Sequence, residues 1–426
     1  MKATVELKQE LQQNKHEALI KELYVDSRRV DTETKRYIEA ITKYEQLFGE
    51  GKVGVFSAPG RSEIGGNHTD HQQGRVLAAS VNVDFLAVAG IVEEPVIKVL
   101  SEGYEMITVD VTDLSLCEEE KGTTKAIIKG MIKGFVDAGY NVGGFNAYIT
   151  SEVLSGSGLS SSAGLETLIG TIVSGLYNEQ KVSPVTIAKL GQYAENVYFG
   201  KPSGLMDQMA SSVGDIIYID FKDKETPVIE KIEVEFERAG YSLCIVDTKG
   251  SHDDLTDEYA AIPVEMKQIA AQFGKEHLRE VEKKAFYQQL PTLRKTCGDR
   301  AVLRAIHFFE ENDRVVSQVE ALKSGDMDRF LKLVQASGNS SYKYLQNIYV
   351  PSNVKEQNMS IALAVSDSIL GDNGVCRVHG GGFAGTIQAF VKDAFVETYK
   401  EAIEQVFGEG TCHVLKIRKH GGEQVL

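Results

Sequence analysis

Four stretches of the chain hold residues whose types and spacing could do chemistry. Leu154-Ser155-Gly156-Ser157-Gly158-Leu159-Ser160-Ser161-Ser162-Ala163 combines glycines with serines. Glycines let backbone N–H groups approach an anion closely. Free amides and the partial positive charge of a helix start favour phosphate, and serine hydroxyls can donate to phosphate or ligate Mg²⁺. GxxxxGK[ST] is absent, so this is not a P-loop, and a flexible connection with a serine cap remains the other reading. Arg61-Ser62-Glu63-Ile64-Gly65-Gly66-Asn67-His68-Thr69-Asp70-His71 packs charge, amide and imidazole into a glycine-kinked run. Convergent donors and acceptors are what a sugar needs, although an exposed polar turn has the same composition. Gly204-Leu205-Met206-Asp207-Gln208 offers a carboxylate that could equally be a helix cap. His379-Gly380-Gly381-Gly382-Phe383-Ala384-Gly385 is a second glycine cluster, able to close over a ligand or merely to bend before a strand.

The elements that must position these stretches are partly visible. Residues 1–50 read as helices, with Leu7, Leu11, Leu19 and Leu23 among charges. Strands are expected at Asp84–Gly90, Val96–Leu100 and Phe145–Val153, and a helix at Thr123–Ala138. After the serine loop, Leu165, Leu168, Ile169, Ile172, Val173 and Leu176 form one helical stripe. Further strands are expected at Ile216–Phe221, Ser242–Asp247, Thr386–Val391 and Cys412–Ile417. Residues 255–345 read as mostly helical, punctuated by Pro263 and Pro291. There is no internal repeat. The expected division is an N-terminal domain over 1–220 and a C-terminal domain over 221–426.

Bulk properties narrow the functional classes. With 426 residues the chain is long enough for two domains. A formal charge of −15, with no basic patch, argues against a nucleic-acid partner. Five scattered cysteines without CxxC spacing argue against a disulfide framework or zinc site and for a reducing compartment. The polar N-terminus has no apolar core of a signal peptide, and no window of about 18 apolar residues exists to span a membrane. A cytoplasmic protein without a membrane partner is expected.

The four stretches, in their order along the chain, resemble the motifs of the GHMP kinases, most closely in their galactokinase form. The serine loop resembles P-x-G-x-G-L-S-S-S-A, with Leu154 for proline. The first polar stretch resembles G-R-x-N-x-I-G-E-H-x-D-Y, with Glu63 for Asn, Asn67 for Glu and His71 for Tyr. Gly200 to Gln208 resembles G-x-x-x-G-I-M-D-Q, and Arg377 to Thr386 resembles R-M-T-G-G-G-F-G-G-C. The resemblance runs from about residue 46 to the end.

The resemblance implies an α+β, two-domain fold: an N-terminal domain like ribosomal protein S5 domain 2 and a ferredoxin-like C-terminal domain, with the site between them. It implies an ATP- and Mg²⁺-dependent 1-kinase of galactose. Asp207 and Arg61 would be catalytic, and Glu63, Asn67, His68, Asp70, Gly204 and Tyr259 would bind the sugar. Gly156, Ser157, Gly158, Leu159, Ser160, Ser161, Ser162, Gly381 and Gly382 would hold ATP, and Ser162 with Glu195 the Mg²⁺. A monomer is expected. In the family the glutamate at position 67 accepts from the sugar's 6-hydroxyl. Asn67 removes that charge, and Ile262-Pro263 stand where the family has Arg-Arg. Galacturonate is therefore an alternative substrate, and a catalytically silent sugar-binding regulator is a third reading.

Overall fold

The computed structural model describes residues 1–153, 158–201, 203–223, 226–234, 236–250, 256–383 and 385–426. Leu154, Ser155, Gly156, Ser157 and Ala384, named above, lie outside the described residues. Helices α1 (Thr4–Gln12), α2 (Glu17–Tyr24) and α3 (Val30–Phe48) come first, flanked by the short strand β1 (Lys2–Ala3). Two long strands follow, β2 (Lys52–Gly65) and β3 (Arg75–Ile91), then β4 (Val96–Ser101), β5 (Ile107–Asp110), α4 (Thr124–Asp137) and β6 (Phe145–Ser151). Helices α5 (Ser161–Tyr177), α6 (Pro184–Tyr193) and α7 (Met206–Val213) precede the hairpin of β7 (Ile216–Asp220) and β8 (Val228–Ile232).

The second half opens with β9 (Tyr241–Asp247). Six helices follow: α8 (Thr256–Ala271), α9 (Lys283–Gln288), α10 (Leu290–Cys297), α11 (Asp299–Lys323), α12 (Met327–Ser340) and α13 (Asn358–Leu370). It closes with β10 (Gly374–Val378), β11 (Thr386–Lys392), α14 (Val396–Phe407), β12 (Cys412–Leu415) and β13 (Glu423–Gln424).

Among the described residues the strands form two sheets. The larger runs β1-β2-β3-β6-β4-β5, with β7 and β8 continuing from β3 and β13 pairing β2. The smaller is antiparallel in the order β10-β11-β9-β12. Read by chain order within that sheet, the strands stand 2-3-1-4, and helices follow β9 and β11, which is the expected ferredoxin-like β-α-β-β-α-β arrangement. The larger sheet extends beyond residue 220. The expected domain division falls inside the β7–β8 hairpin, and the C-terminal tail returns to the first sheet.

One alternative reading and one expectation change. The first polar stretch is not a loop: residues to Gly65 lie in β2, and the turn begins only at Gly66. Its alternation was hidden because β2 is buried on both faces, and two register shifts, at Pro59/Arg61 and Glu63/Gly65, break its period. Pro263 does not punctuate but sits inside α8.

Helices α1–α3 cover one face of the larger sheet. Leu7, Leu11, Ile20, Leu23, Tyr37 and Ile41 pack on Val53, Val55, Leu86, Val88 and Tyr148. At the centre of that contact Asp84 is fully buried and accepts from Tyr24 Oη (2.8 Å) and Arg36 Nη1 (2.7 Å), with Ser57 and Arg418 beside it. The other face of the larger sheet packs on α4, α5 and α6 through Phe56, Ala87, Ile128, Phe135, Leu168 and Ile172.

Candidate active site between the two sheets

The site forms where β2, the start of α5, the start of α7 and the β10–β11 loop converge. Arg61 leaves the bulged part of β2 with its guanidinium almost buried. Nε and Nη2 donate to Asp207 Oδ1 (2.6 Å) and Oδ2 (2.7 Å), and Nη1 donates to the Gly158 carbonyl. Asp207 lies in the first turn of α7, two residues beyond the capping residue Leu205, so it does not serve as the cap. Ser160 Oγ donates a third bond to Oδ2 at 2.7 Å. Burial works against ionisation of Asp207. Arg61 and Ser160 outweigh it and hold the carboxyl below the usual aspartate value, so the group is an anion at neutral pH.

Ser160 has a left-handed backbone (φ 56°) and leads directly into α5, whose first residues are Ser161 and Ser162. The first amides of a helix lack intrahelical acceptors and face outward with the positive end of the dipole. The described part of the serine loop therefore presents amides and hydroxyls beside Asp207. Leu159 is different: its side chain is buried in the core, and only its backbone faces this region, its carbonyl accepting from the Arg61 amide (3.1 Å). Ser162 Oγ donates to Glu195 Oε1 at 3.2 Å, and Glu195 is 2% exposed.

The sugar-facing residues divide into two groups. Asp70 keeps a partly exposed carboxylate. Gly204 passes so close that a methyl group there would lie 2.6 Å from Asp70 Oδ2. Asn67, by contrast, is fully buried and spends its whole hydrogen-bonding capacity inside the protein. Its Oδ1 accepts from Asn347 Nδ2 (2.9 Å) and Ser341 Oγ (3.2 Å), while Nδ2 donates to the Gly380 carbonyl (2.7 Å) and Glu63 Oε1 (3.1 Å). The expected direct contact of Asn67 with a sugar is therefore not available in this arrangement. Glu63, also buried, pairs with Arg377 Nη2 at 2.7 Å. Burial pushes Glu63 up to about 7, against the pull of Arg377. Relative to the galactokinase motif, carboxylate and carboxamide have exchanged places and touch each other.

Consecutive carbonyls of the glycine loop are pinned one by one. Asn67 takes Gly380, His68 Nε2 (2.9 Å) and Asn347 take Gly381, and Tyr259 Oη takes Gly382 (2.6 Å). Burial drives His68 down to about 4 and Tyr259 up to about 12, so both are neutral at pH 7. Gly382 has φ +89°, and a methyl there would lie 2.0 Å from the Asn347 carbonyl, so only glycine fits. At the loop's base, His379 bridges Ser62 Oγ (3.0 Å) and Thr386 Oγ1 (2.9 Å) and adjoins Gly158.

Four supporting residues were given no role from the sequence: Arg377, Asn347, His307 and Glu311. His307 Nε2 is 2.9 Å from the Asn67 carbonyl, and Glu311 Oε1 accepts from the Gly66 amide at 3.0 Å. Both are buried on α11. A usable signal existed: Arg304, His307 and Glu311 recur at helical spacing on the same stripe as Ala301, Ala305 and Phe308, interrupting an apolar face.

The family model for the GHMP kinases N terminal domain matches residues 126–215, and the galactokinase galactose-binding signature matches residues 42–91. A galactokinase of Lactococcus lactis subsp. lactis is 29% identical over 386 residues, covering 88% of this chain and 93% of the relative. One from Streptomyces coelicolor is 29% identical over 372 residues, covering 86% and 91%. The crystal structure of Lactococcus lactis galactokinase complexed with galactose superposes with a TM-score of 0.76 at 25% identity, covering 90% of this chain and 98% of that one. Methanococcus jannaschii mevalonate kinase shares the fold, with a TM-score of 0.60 at 19% identity and coverage of 86% and 99%.

Two sheets meeting at a serine-loop helix, with an Asp–Arg pair at its mouth, are the arrangement of a GHMP kinase. Within that superfamily the chain is similar to the galactokinases, through the signature over residues 42–91 and through relatives 29% identical over most of its length.

Proposed function

We propose that the chain transfers the γ-phosphoryl group of ATP to the anomeric 1-hydroxyl of galactose, giving galactose 1-phosphate and ADP. The observation that carries the reading is the two-pronged Arg61–Asp207 pair, between β2 and the first turn of α7 and beside Ser160. Asp207, kept anionic, takes or orients the proton of the attacking hydroxyl. Arg61 lies on both Asp207 and the serine loop and stabilises charge on the transferred group. The phosphates lie along residues 156–162 and the loop at Gly381 and Gly382, using backbone amides. Asp70, His68, Gly204 and Tyr259 line the sugar side, and Glu63 and Asn67 hold that side's framework.

Ser162 and Glu195 fit a Mg²⁺ ion. Their oxygens stand 3.2 Å apart, close to the roughly 3 Å between adjacent ligands of an octahedral Mg²⁺ with bonds of about 2.0–2.1 Å. Among the described residues no cluster of three or more His, Cys, Asp or Glu side chains suits a metal. Two protein oxygens, completed by phosphates and water, match the way Mg²⁺ is held at nucleotide sites. When bound, the ion offsets the negative charge of the phosphates.

The structure favours galactose over galacturonate. The guanidinium groups of Arg377 and Arg61 are committed to Glu63 and Asp207. Neither guanidinium is therefore free to pair with a sugar carboxylate. The test is ADP release in a coupled assay with galactose, galacturonate, glucose, N-acetylgalactosamine and arabinose in parallel. Turnover with galactose is expected. Preference for galacturonate would replace the substrate, and silence on every sugar would favour a sugar-binding regulator.

A further inference from the structure

Behind Glu195 lies a buried polar chain that the reaction described above does not use. Glu195 has two inequivalent oxygens. Oε1 faces Ser162 and the exposed Lys201 ammonium at 3.2 Å, while Oε2 accepts from Gln208 Nε2 at 2.9 Å. The second proton of the same amide goes to Glu166 Oε2 at 3.0 Å. Glu166 is fully buried and Gln208 is 1% exposed.

The three residues link the functional elements. Glu166 sits one turn after Ser162 on α5, and Gln208 follows Asp207 on α7. One side-chain amide therefore ties the helix carrying Ser162 to the carboxylate facing it, and does so from the residue adjacent to Asp207. A carboxylate held by one oxygen cannot swing about its last torsion, so Oε1 stays turned to Ser162.

We propose that Gln208 and Glu166 are positioning residues for the cation-binding carboxylate: Gln208 orients Glu195, and Glu166 orients Gln208. Burial, reinforced by the charge of Glu195, pushes Glu166 up to about 8, so at pH 7 it is a neutral acid and adds no competing charge. Two acceptors of this chain, Glu166 Oε1 and Gln208 Oε1, have no partner among the described residues. A proton on Glu166 would turn its unpartnered Oε1 from an acceptor into a donor. The geometry thus needs no second cation behind Glu195.

The inference rests on the kinase reading, and calorimetry separates the two. Binding of ADP is measured with Mg²⁺ and, separately, in EDTA, for the unaltered protein and for Gln208→Leu, Gln208→Asn and Glu166→Gln. Gln208→Asn keeps the amide but is too short to span both carboxylates. Both Gln208 variants should lose about 10-fold or more in Mg·ADP affinity, while ADP in EDTA changes less than about twofold and Glu166→Gln, which keeps the acceptor, stays within about threefold. Unchanged Mg·ADP affinity in the Gln208 variants, or an equal loss in EDTA, overturns the positioning role. If Gln208→Leu does not fold, Gln208→Asn decides. Unaltered protein that binds ADP no better with Mg²⁺ than without overturns the kinase reading instead.

Discussion

Replacing Asp207 with asparagine separates chemistry from binding. In the native site Arg61 donates to both carboxylate oxygens and Ser160 donates to one of them. Asparagine keeps one acceptor and presents an NH₂ where the other oxygen stood, so a donor meets a donor. Arg61 retains its bond to Gly158. Losing one charge-assisted bond costs about 1.5–3 kcal/mol. Removing one partner of a fully buried pair costs about 3–5 kcal/mol, but the Asp207 side chain is 30% exposed, so the lower range applies. The chemical loss is larger. A neutral amide cannot accept the hydroxyl proton, and general-base contributions run to about 10²–10⁴-fold in rate, or about 3–5 kcal/mol of barrier. Single-turnover ADP formation, calorimetry with Mg·ADP and urea unfolding read the three quantities independently. The expected result is a kcat lower by about 10³-fold with nucleotide affinity within about threefold and the fold intact. A kcat within tenfold of native, or nucleotide affinity falling in step with kcat, would refute the role of Asp207.

Two further outcomes are expected. Asn67→Glu alone places a second carboxylate against Glu63 and removes the donor to Gly380, so it should destabilise the protein. Combined with Glu63→Asn it should be less damaging than the sum of the single changes, by a coupling of about 1–3 kcal/mol in urea unfolding; strict additivity would show that the two positions do not exchange roles. Asp84 should contribute to acid sensitivity. Burial opposes its ionisation, but Arg36, Arg418 and Ser57 hold it down at about 2. Because the folded value is depressed, its stabilisation is complete above the ordinary aspartate value and is lost as pH falls towards 2. That is worth about 2 kcal/mol, and Asp84→Asn should flatten the stability profile between pH 5 and 2 as followed by thermal denaturation; an unchanged slope would exclude Asp84 as its source.

Much of this molecule was legible as a string. The stripe from Leu165 to Leu176 does form α5, and of the expected strand Cys412–Ile417 the residues Cys412–Leu415 do form one. Such features are local: glycine, serine and a 3.6-residue period act over one or two turns, so spacing reports them directly. The motif order also carried the resemblance, because four short patterns in sequence are more specific than any one of them.

What the string could not hold is which side chains face each other across the molecule. Glu63 and Arg377 are 314 positions apart yet form one buried pair, and Gln208 reaches Glu166 across two helices. Spacing does not encode such contacts, because they depend on where separate elements dock. The same limit governs Asn67. As a letter it was a sugar-reading residue with a lost charge. In the folded chain Asn347, Ser341, Glu63 and Gly380 use up its amide, so burial decided its role. The sequence determined the local elements and the class of chemistry; the packing of α11 and the glycine loop against β2 decided which polar groups remain free to meet a substrate, because a buried polar group must find its partners within the protein.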